Sequence, residues 1–258
     1  MALNDNIVGS WIPGKSGTGQ LHLDRSKYNT HLTWNAPASG YWEANQAGWT
    51  PRTTGSTDYL AASRAIPTSV RSWSVIQWVL LKSRNDTLYP NSMDANFGFG
   101  SDGAGGFNNG PRLELTSTAT WVYNNGTTGA TTIGCGNTLA NDLWGMYTIT
   151  HNGATTATTY RQGVPTGLTQ TNISGATGTF SGSFRAVNLG RGYNSSRRVD
   201  GLLGGMVIWS RELSAGEVWS VYQAGPACDW VTAKRRRVYG FVPPTGARRR
   251  RIICGGNC

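Results

Sequence analysis

Glycine, asparagine and proline divide the first 210 residues into short apolar or alternating runs. Period-two alternation and short apolar runs bounded by such residues are typical of β-strands. Since these runs do not alternate with long amphipathic helices, a parallel α/β sheet is disfavoured. Many short strands with short connections favour two antiparallel sheets packed face to face. We predict strands at residues 7–12, 21–23, 30–34, 58–61, 73–81, 95–100, 112–115, 120–123, 144–150, 157–161, 184–189 and 199–209.

The length and composition suit one large β-domain. The 258 residues include 11 tryptophans and 10 tyrosines, which supply the volume of a sizeable core. We expect the domain to span residues 1–225 and a tail to span 226–258. The first ten residues carry no basic, apolar leader pattern, and no apolar run approaches the roughly 18 residues of a membrane span. The expectation is therefore synthesis in a cytosol and no membrane span.

Residues 200–225 differ from the rest because a strand leads directly into a helical pattern. Ser214 and Glu217 have the S-x-x-E spacing of a capping box, in which each side chain binds the other residue's backbone amide. Leu213 and Val218 stand at the positions of a hydrophobic staple, and Gly225 can end the helix. The pattern predicts one short closing helix near 215–223, and we expect it to cap an open end of the sandwich.

Residues 201–222 resemble the last strand and closing helix of laminin-G-like and concanavalin-A-like jelly-roll domains. Asp24 and Ser26 resemble the Asp-x-Ser turn of the first strand pair in that family, and residues 72–81 resemble a strand of its first sheet. The blocks occur in the family's order over about residues 5–225. The resemblance implies an all-β, antiparallel two-sheet jelly-roll sandwich with one short closing helix.

The net charge of +10 is a property of the tail. Two runs of four cations leave 15 basic against 13 acidic residues elsewhere, a net of +2. Such runs form a solvated charged segment, a clamp for nucleic acid, or an anchor for an acidic protein surface. The apolar residues between the runs favour a protein partner over nucleic acid. The predicted anchoring residues are Lys234, Arg235, Arg236, Arg237, Tyr239, Phe241, Arg248, Arg249, Arg250 and Arg251.

A jelly roll without a leader, followed by an arginine-rich tail, resembles virion proteins of tailed bacteriophages. That resemblance implies a non-enzymatic accessory protein on the head or tail of a virion, anchored to a neighbouring virion protein. Such a setting also favours a homo-oligomer. The alternative is a lectin-like module that binds host-surface carbohydrate.

Aromatic side chains with amide neighbours would form a carbohydrate platform. One group is bunched between two strand blocks and a second lies near residue 123; both are equally consistent with core tryptophans. The candidates are Tyr41, Trp42, Trp49, Trp121, Tyr123, Asn124 and Asn125.

The acidic residues do not have the spacing of a glucanase site. Retaining β-glucanases need two carboxylates about 5 Å apart, usually from acids two positions apart on one strand, and no two acids here have that separation. The three histidines lie in no catalytic motif, so we predict no enzyme activity. A loop with Asp102, Asn108 and Asn109 suits either a glycine–asparagine turn or a calcium site. We therefore predict no cofactor or metal, with calcium as the alternative.

Overall fold

Two antiparallel sheets and one helix make up the part of the chain that the structure describes. The computed structural model describes residues 3, 5–14, 21–35, 41–54, 59–62, 72–82, 88–95, 112–115, 118–124, 130–137, 139–153, 156–170, 184–190 and 199–226. Within them lie β1 (Ile7–Trp11), β2 (Leu21–His22), β3 (Leu32–Trp34), β4 (Tyr41–Asn45), β5 (Gly48–Thr54), β6 (Leu60–Ala62), β7 (Trp73–Leu81), β8 (Leu88–Ala95), β9 (Arg112–Leu115), β10 (Thr118–Asn124), β11 (Ala130–Asn137), β12 (Trp144–His151), β13 (Ala157–Arg161), β14 (Val164–Gln170), β15 (Phe184–Leu189), β16 (Asp200–Trp209) and α1 (Ala215–Ala224).

The strand order defines which edges meet. The first sheet runs β14-β13-β12-β7-β16-β5-β4, and β1 also pairs with β16. The second sheet runs β11-β10-β9-β8-β15-β6-β3-β2. At one side β11 lies beside β13 and β14 of the other sheet. At the other side the last strands are β4 and β2, which places the β4–β5 hairpin beside the first turn of the second sheet.

The main core lies between the two sheets. Strands β7 and β16 cross the middle of the first sheet as apolar runs with every residue of β7 buried. Their inward side chains, such as Trp73 and Ile208, share one cluster with Leu113 and Trp121 of the second sheet. The predicted two-sheet antiparallel sandwich is confirmed.

Helix α1 covers the outer face of the first sheet. A second apolar cluster combines Trp78 and Met146 of that sheet with Leu213, Val218 and Val221. Since these sheet residues face away from the main core, the expectation that the helix caps an open end of the sandwich is wrong. No helix in the described residues is long and apolar enough to cross a membrane.

The capping box of α1 forms as predicted. The Glu217 amide donates to the Ser214 hydroxyl, and the Ser214 amide donates to the Glu217 carboxylate at 2.9 Å. Arg211 binds the same carboxylate at 2.6 Å and, with the capping bonds, lowers the pKa of Glu217 to about 2. At Gly163, with φ +75°, a Cβ would lie 2.7 Å from the Tyr222 Cβ, so this turn requires glycine beneath the helix.

Four strands, β4, β5, β11 and β14, lie where no strand is predicted. The segment holding Tyr41, Trp42 and Trp49 forms the β4–β5 hairpin, and β11 occupies a glycine- and threonine-rich stretch. Strand β8 covers Leu88–Ala95, upstream of the strand predicted at 95–100. Residues 96–100 lie outside the described residues.

Candidate functional site

The β4–β5 hairpin is fixed in place by its turn and by residue 14. The Asn45 side chain accepts from the Ala47 amide at 2.8 Å and donates to the Glu43 carbonyl at 3.1 Å. Trp49 and Gly14 exchange two backbone hydrogen bonds of 2.9 and 3.1 Å. Gly48 has φ +94°, and a Cβ there would lie 2.9 Å from the Gly14 carbonyl oxygen, so only glycine fits this close approach. The hairpin is therefore a built element at the sheet edge.

Trp42 and Trp49 lie on one face of this hairpin. Trp42 is opposite Pro51 and Trp49 is opposite Ala44, so the two indoles occupy diagonal positions. Diagonal neighbours on one face lie roughly 7–8 Å apart, within reach of aromatic side chains. Trp42 is half-buried and Trp49 is 38% exposed. The pair places two aromatic side chains together on the same face of an edge hairpin.

The opposite face of the hairpin carries a charged network. Arg52 binds Asp200 of β16 at 2.6 Å and approaches Glu43 of β4 at 3.6 Å. Its Nη1 also donates to the Thr53 carbonyl. Because Arg52 is mostly buried, these contacts link three neighbouring strands and hold the hairpin against the sheet.

His22 closes the gap between the two sheet edges. Its imidazole is 2% exposed and meets the Trp42 indole with ring centroids 5.3 Å apart at 82°. Its Nε2 has no hydrogen-bond partner among the residues that the structure describes. Burial, with a smaller contribution from Arg25, lowers the pKa of His22 to about 3, so the ring is neutral at neutral pH.

The strand that carries His22 has an inverted pattern. Leu21 and Leu23 are 48% and 52% exposed, whereas His22 and Asp24 are buried. Alternation alone would turn the two leucines inward and the polar residues outward. The pattern is inverted because the hydrogen-bond donors to the Asp24 carboxylate lie in the interior of the domain.

Asp24 organises the turn between β2 and β3. Its Oδ1 accepts from the Ser10 and Ser26 amides at 2.9 and 2.8 Å. Its Oδ2 accepts from the Ser26 hydroxyl at 2.7 Å and from the Thr30 amide at 2.8 Å. Four hydrogen bonds satisfy a buried carboxylate and fasten the turn to β1. The turn therefore fixes strand β2, from which His22 contacts Trp42.

The second predicted aromatic group begins in strand β10. Trp121 is fully buried in the main core, so its assignment to a carbohydrate platform is wrong. Tyr123 and Asn124 lie in β10, paired with Thr131 and Ala130 of β11, and not in a loop. Asn125 lies outside the described residues. Tyr41 lies in β4, opposite Arg52.

The calcium and anchoring candidates lie outside the described residues. They belong to the loop with Asp102, Asn108 and Asn109 and to the tail from residue 227 onward. In the part that is described, no group of three or more His, Cys, Asp or Glu residues is arranged to hold a metal ion.

Sequence reasoning missed His22 and Asp24 as parts of this edge. The one available signal for Asp24 is the Asp-x-Ser spacing with Ser26, which the structure shows as a hydrogen-bonded turn. For His22 the flanking residues Leu21 and Leu23 predict an exposed side chain, whereas the structure buries it. Only the position of β4 reveals its role.

The fold and this edge define the class: an antiparallel jelly-roll domain with an aromatic edge hairpin. The chain belongs to the concanavalin A-like lectin/glucanases superfamily, because the laminin-G-type model of that superfamily matches residues 54–219. Trp42 and Trp49 precede the matched segment. No curated protein matches the chain.

Solved structures share the fold at low sequence identity. The binding domain of botulinum neurotoxin DC in complex with SialylT has a TM-score of 0.57 at 15% identity, covering 86% of this chain and 52% of that one. The binding domain of serotype D has a TM-score of 0.59 at 16% identity over 85% and 52%. That of serotype G has a TM-score of 0.60 at 15% identity over 85% and 52%. The chain thus spans about half the length of these proteins.

Proposed function

We propose that the chain is a non-enzymatic recognition module that binds carbohydrate on the Trp42–Trp49 face of the β4–β5 hairpin. The observation that carries this proposal is the pairing of a half-buried and an exposed indole on one face of a fixed hairpin. Aromatic rings offer flat apolar area at little entropic cost, which suits the apolar faces of sugar rings. Membership of a superfamily that includes lectins supports the proposal.

The structural roles of four described carboxylates support a binding role over hydrolysis. A retaining glycosidase needs one carboxylate as nucleophile and a second as proton donor. The Asp24 carboxylate accepts the hydrogen bonds that hold the β2–β3 turn, and the Glu217 carboxylate accepts those of the capping box. Glu43 and Asp200 share Arg52. These four acids hold the fold together, and a solved neighbour that shares the fold is a binding domain in complex with SialylT.

Replacing either indole should weaken carbohydrate binding without unfolding the domain. We expect Trp42→Ala and Trp49→Ala each to reduce affinity roughly tenfold or more, since aromatic anchors of this kind contribute about 1–2 kcal/mol or more. The measurement is titration with the strongest-binding oligosaccharide from a printed panel of bacterial and animal surface glycans.

Trp219→Ala is the matched control for this experiment. Trp219 is another exposed tryptophan, at 41%, but it lies on α1 over the other face of the first sheet. Its replacement should leave affinity unchanged. Equal affinities for Trp42→Ala, Trp49→Ala and the wild type would remove the hairpin as the binding site.

We also propose that the module is displayed on a bacteriophage virion, as a homo-oligomer, through its basic tail. The two four-cation runs between residues 234 and 251 support an anchor on an acidic surface of a neighbouring virion protein. The first residues after the helix belong to the domain, because the Gly225 amide caps Tyr222 at 3.1 Å and the Pro226 carbonyl packs on Gly205.

Truncation after Pro226 should therefore leave the domain folded but remove it from the virion. We expect the shortened chain to unfold in the same cooperative transition as the full chain, and particles produced in its presence to lack its density. Imaging of particles with each form gives the readout. Equal occupancy for both forms would contradict tail anchoring, and no particle association of the full chain would contradict the virion setting.

A further inference from the structure

We propose that His22 is a positioning residue that sets the orientation of the Trp42 indole for ligand stacking. This inference rests on the proposed carbohydrate site. His22, which belongs to the second sheet, would hold the Trp42 indole of the first sheet in place, and Trp42 would make the contact with the ligand.

The contact between the two rings crosses the sandwich edge. His22 lies in β2, the last strand of the second sheet, and Trp42 lies in β4, the last strand of the first. The rings meet edge to face at 5.3 Å and 82°, an arrangement that aromatic pairs favour. The perpendicular imidazole packs against the half-buried Trp42 indole and restricts its rotation. Orientation of Trp42 is therefore tied to the position of β2.

The imidazole acts here as a flat ring. Among the described residues its Nε2 has no hydrogen-bond partner, and burial keeps the group neutral at neutral pH. The contribution of His22 to this contact is therefore assigned to its planar ring, which meets the Trp42 indole edge to face.

The position of His22 is itself fixed by Asp24. The carboxylate two residues later holds the turn through four hydrogen bonds, and the inverted alternation turns His22 inward. A rigid turn, a buried ring and an indole thus form a continuous path from β1 to the proposed ligand face. Pre-organisation of this kind reduces the entropy lost when a ligand orders a side chain.

Two variants separate ring shape from bulk. His22→Leu keeps an apolar side chain but removes the planar ring, whereas His22→Phe restores a ring. We expect His22→Leu to weaken binding of the strongest oligosaccharide from the printed panel about fivefold or more, and His22→Phe to bind within twofold of wild type. Circular dichroism and urea unfolding establish that both variants are folded.

A second readout follows Trp42 directly. In protein labelled with 5-fluorotryptophan, the Trp42 fluorine resonance is identified by its loss in Trp42→Phe. We expect that resonance to shift or broaden in His22→Leu and to stay near its wild-type position in His22→Phe. A merely structural role for His22 would move the unfolding midpoint without this selective change at Trp42.

The outcomes distinguish the inference from the function beneath it. Loss of binding in Trp42→Ala together with wild-type affinity and an unmoved Trp42 resonance in His22→Leu would overturn the positioning role alone. Wild-type affinity in Trp42→Ala would overturn the proposed site and the positioning role with it. Weak binding by His22→Leu that His22→Phe fails to rescue would also contradict a role based on ring shape.

Discussion

Asp24→Asn should destabilise the domain by about 2–4 kcal/mol, the cost expected for stranding buried donors. The carboxylate accepts four hydrogen bonds, three of them from backbone amides. An amide of the same shape has one oxygen to accept and one nitrogen that donates. With the nitrogen at the Oδ2 position, the Ser26 hydroxyl can turn to accept, but the buried Thr30 amide faces another donor. With the nitrogen at Oδ1, two backbone amides lose their acceptor.

Urea unfolding followed by tryptophan fluorescence measures this loss. Asp142→Asn is the matched control, because Asp142 is 65% exposed in its ion pair with Lys82 and has φ +61°, which asparagine tolerates well. We expect its effect to stay within about 1 kcal/mol. Equal unfolding free energies for the two variants would show that the Asp24 turn is not a main support of the fold.

Acidification should destabilise the domain strongly between pH 6.5 and 4. Burial lowers the pKa of His22 to about 3 and that of His151 to about 4, from 6.5. Below pH 6.5 the unfolded chain therefore binds two protons that the folded chain does not. The loss is absent above pH 6.5, grows as pH falls, and stops near each folded pKa. At pH 5 it amounts to roughly 2 kcal/mol for each histidine, a large share of the stability of a typical domain.

His22→Phe removes one of the two titrating histidines and leaves the contribution of His151. It should leave the unfolding free energy at pH 7.5 little changed, because the Nε2 that it removes has no hydrogen-bond partner within the described part of the chain, and should halve the fall between pH 6.5 and 5. Toward the lower end of this range, protonation of Glu212, whose pKa is raised by desolvation, opposes the loss, whereas the lowered pKa of Glu217 adds to it; both contributions are the same in the two proteins. An identical pH dependence in wild type and His22→Phe would show that His22 is not a buried neutral group.

Sequence patterns predicted the fold where apolar runs or capping motifs dominate. Strands β7 and β16 are predominantly apolar and buried on both faces of the first sheet, and the Ser214–Glu217 spacing located α1. Strand β5 was not predicted because Gly48 and Pro51 interrupt its pattern, and β4 was not predicted because its segment was interpreted as a connection between two strand blocks. Glycine and proline reduce strand propensity, yet the pairing of β5 with β4 and β16 outweighs it here.

The candidate site was predictable only in part. Trp42 and Trp49 stand out as clustered aromatics, but a tryptophan such as Trp121 gives the same local signal. Their faces differ because Trp121 alternates inward with Ala119, while the β4–β5 hairpin lies at a sheet edge. His22 escaped prediction because its neighbours Leu21 and Leu23 indicate the opposite orientation. The four donors that turn Asp24 inward come from residues up to 14 positions away, which local alternation does not reveal.

The most direct test of carbohydrate binding on the β4–β5 hairpin is a fluorine map of the eleven tryptophans. The protein is labelled with 5-fluorotryptophan and titrated with the strongest-binding oligosaccharide from the printed panel. We predict that the Trp42 and Trp49 resonances shift with ligand concentration, while those of the buried Trp121 and the helical Trp219 stay in place. Shifts at Trp219 with unchanged Trp42 and Trp49 resonances would contradict the account and place the ligand elsewhere.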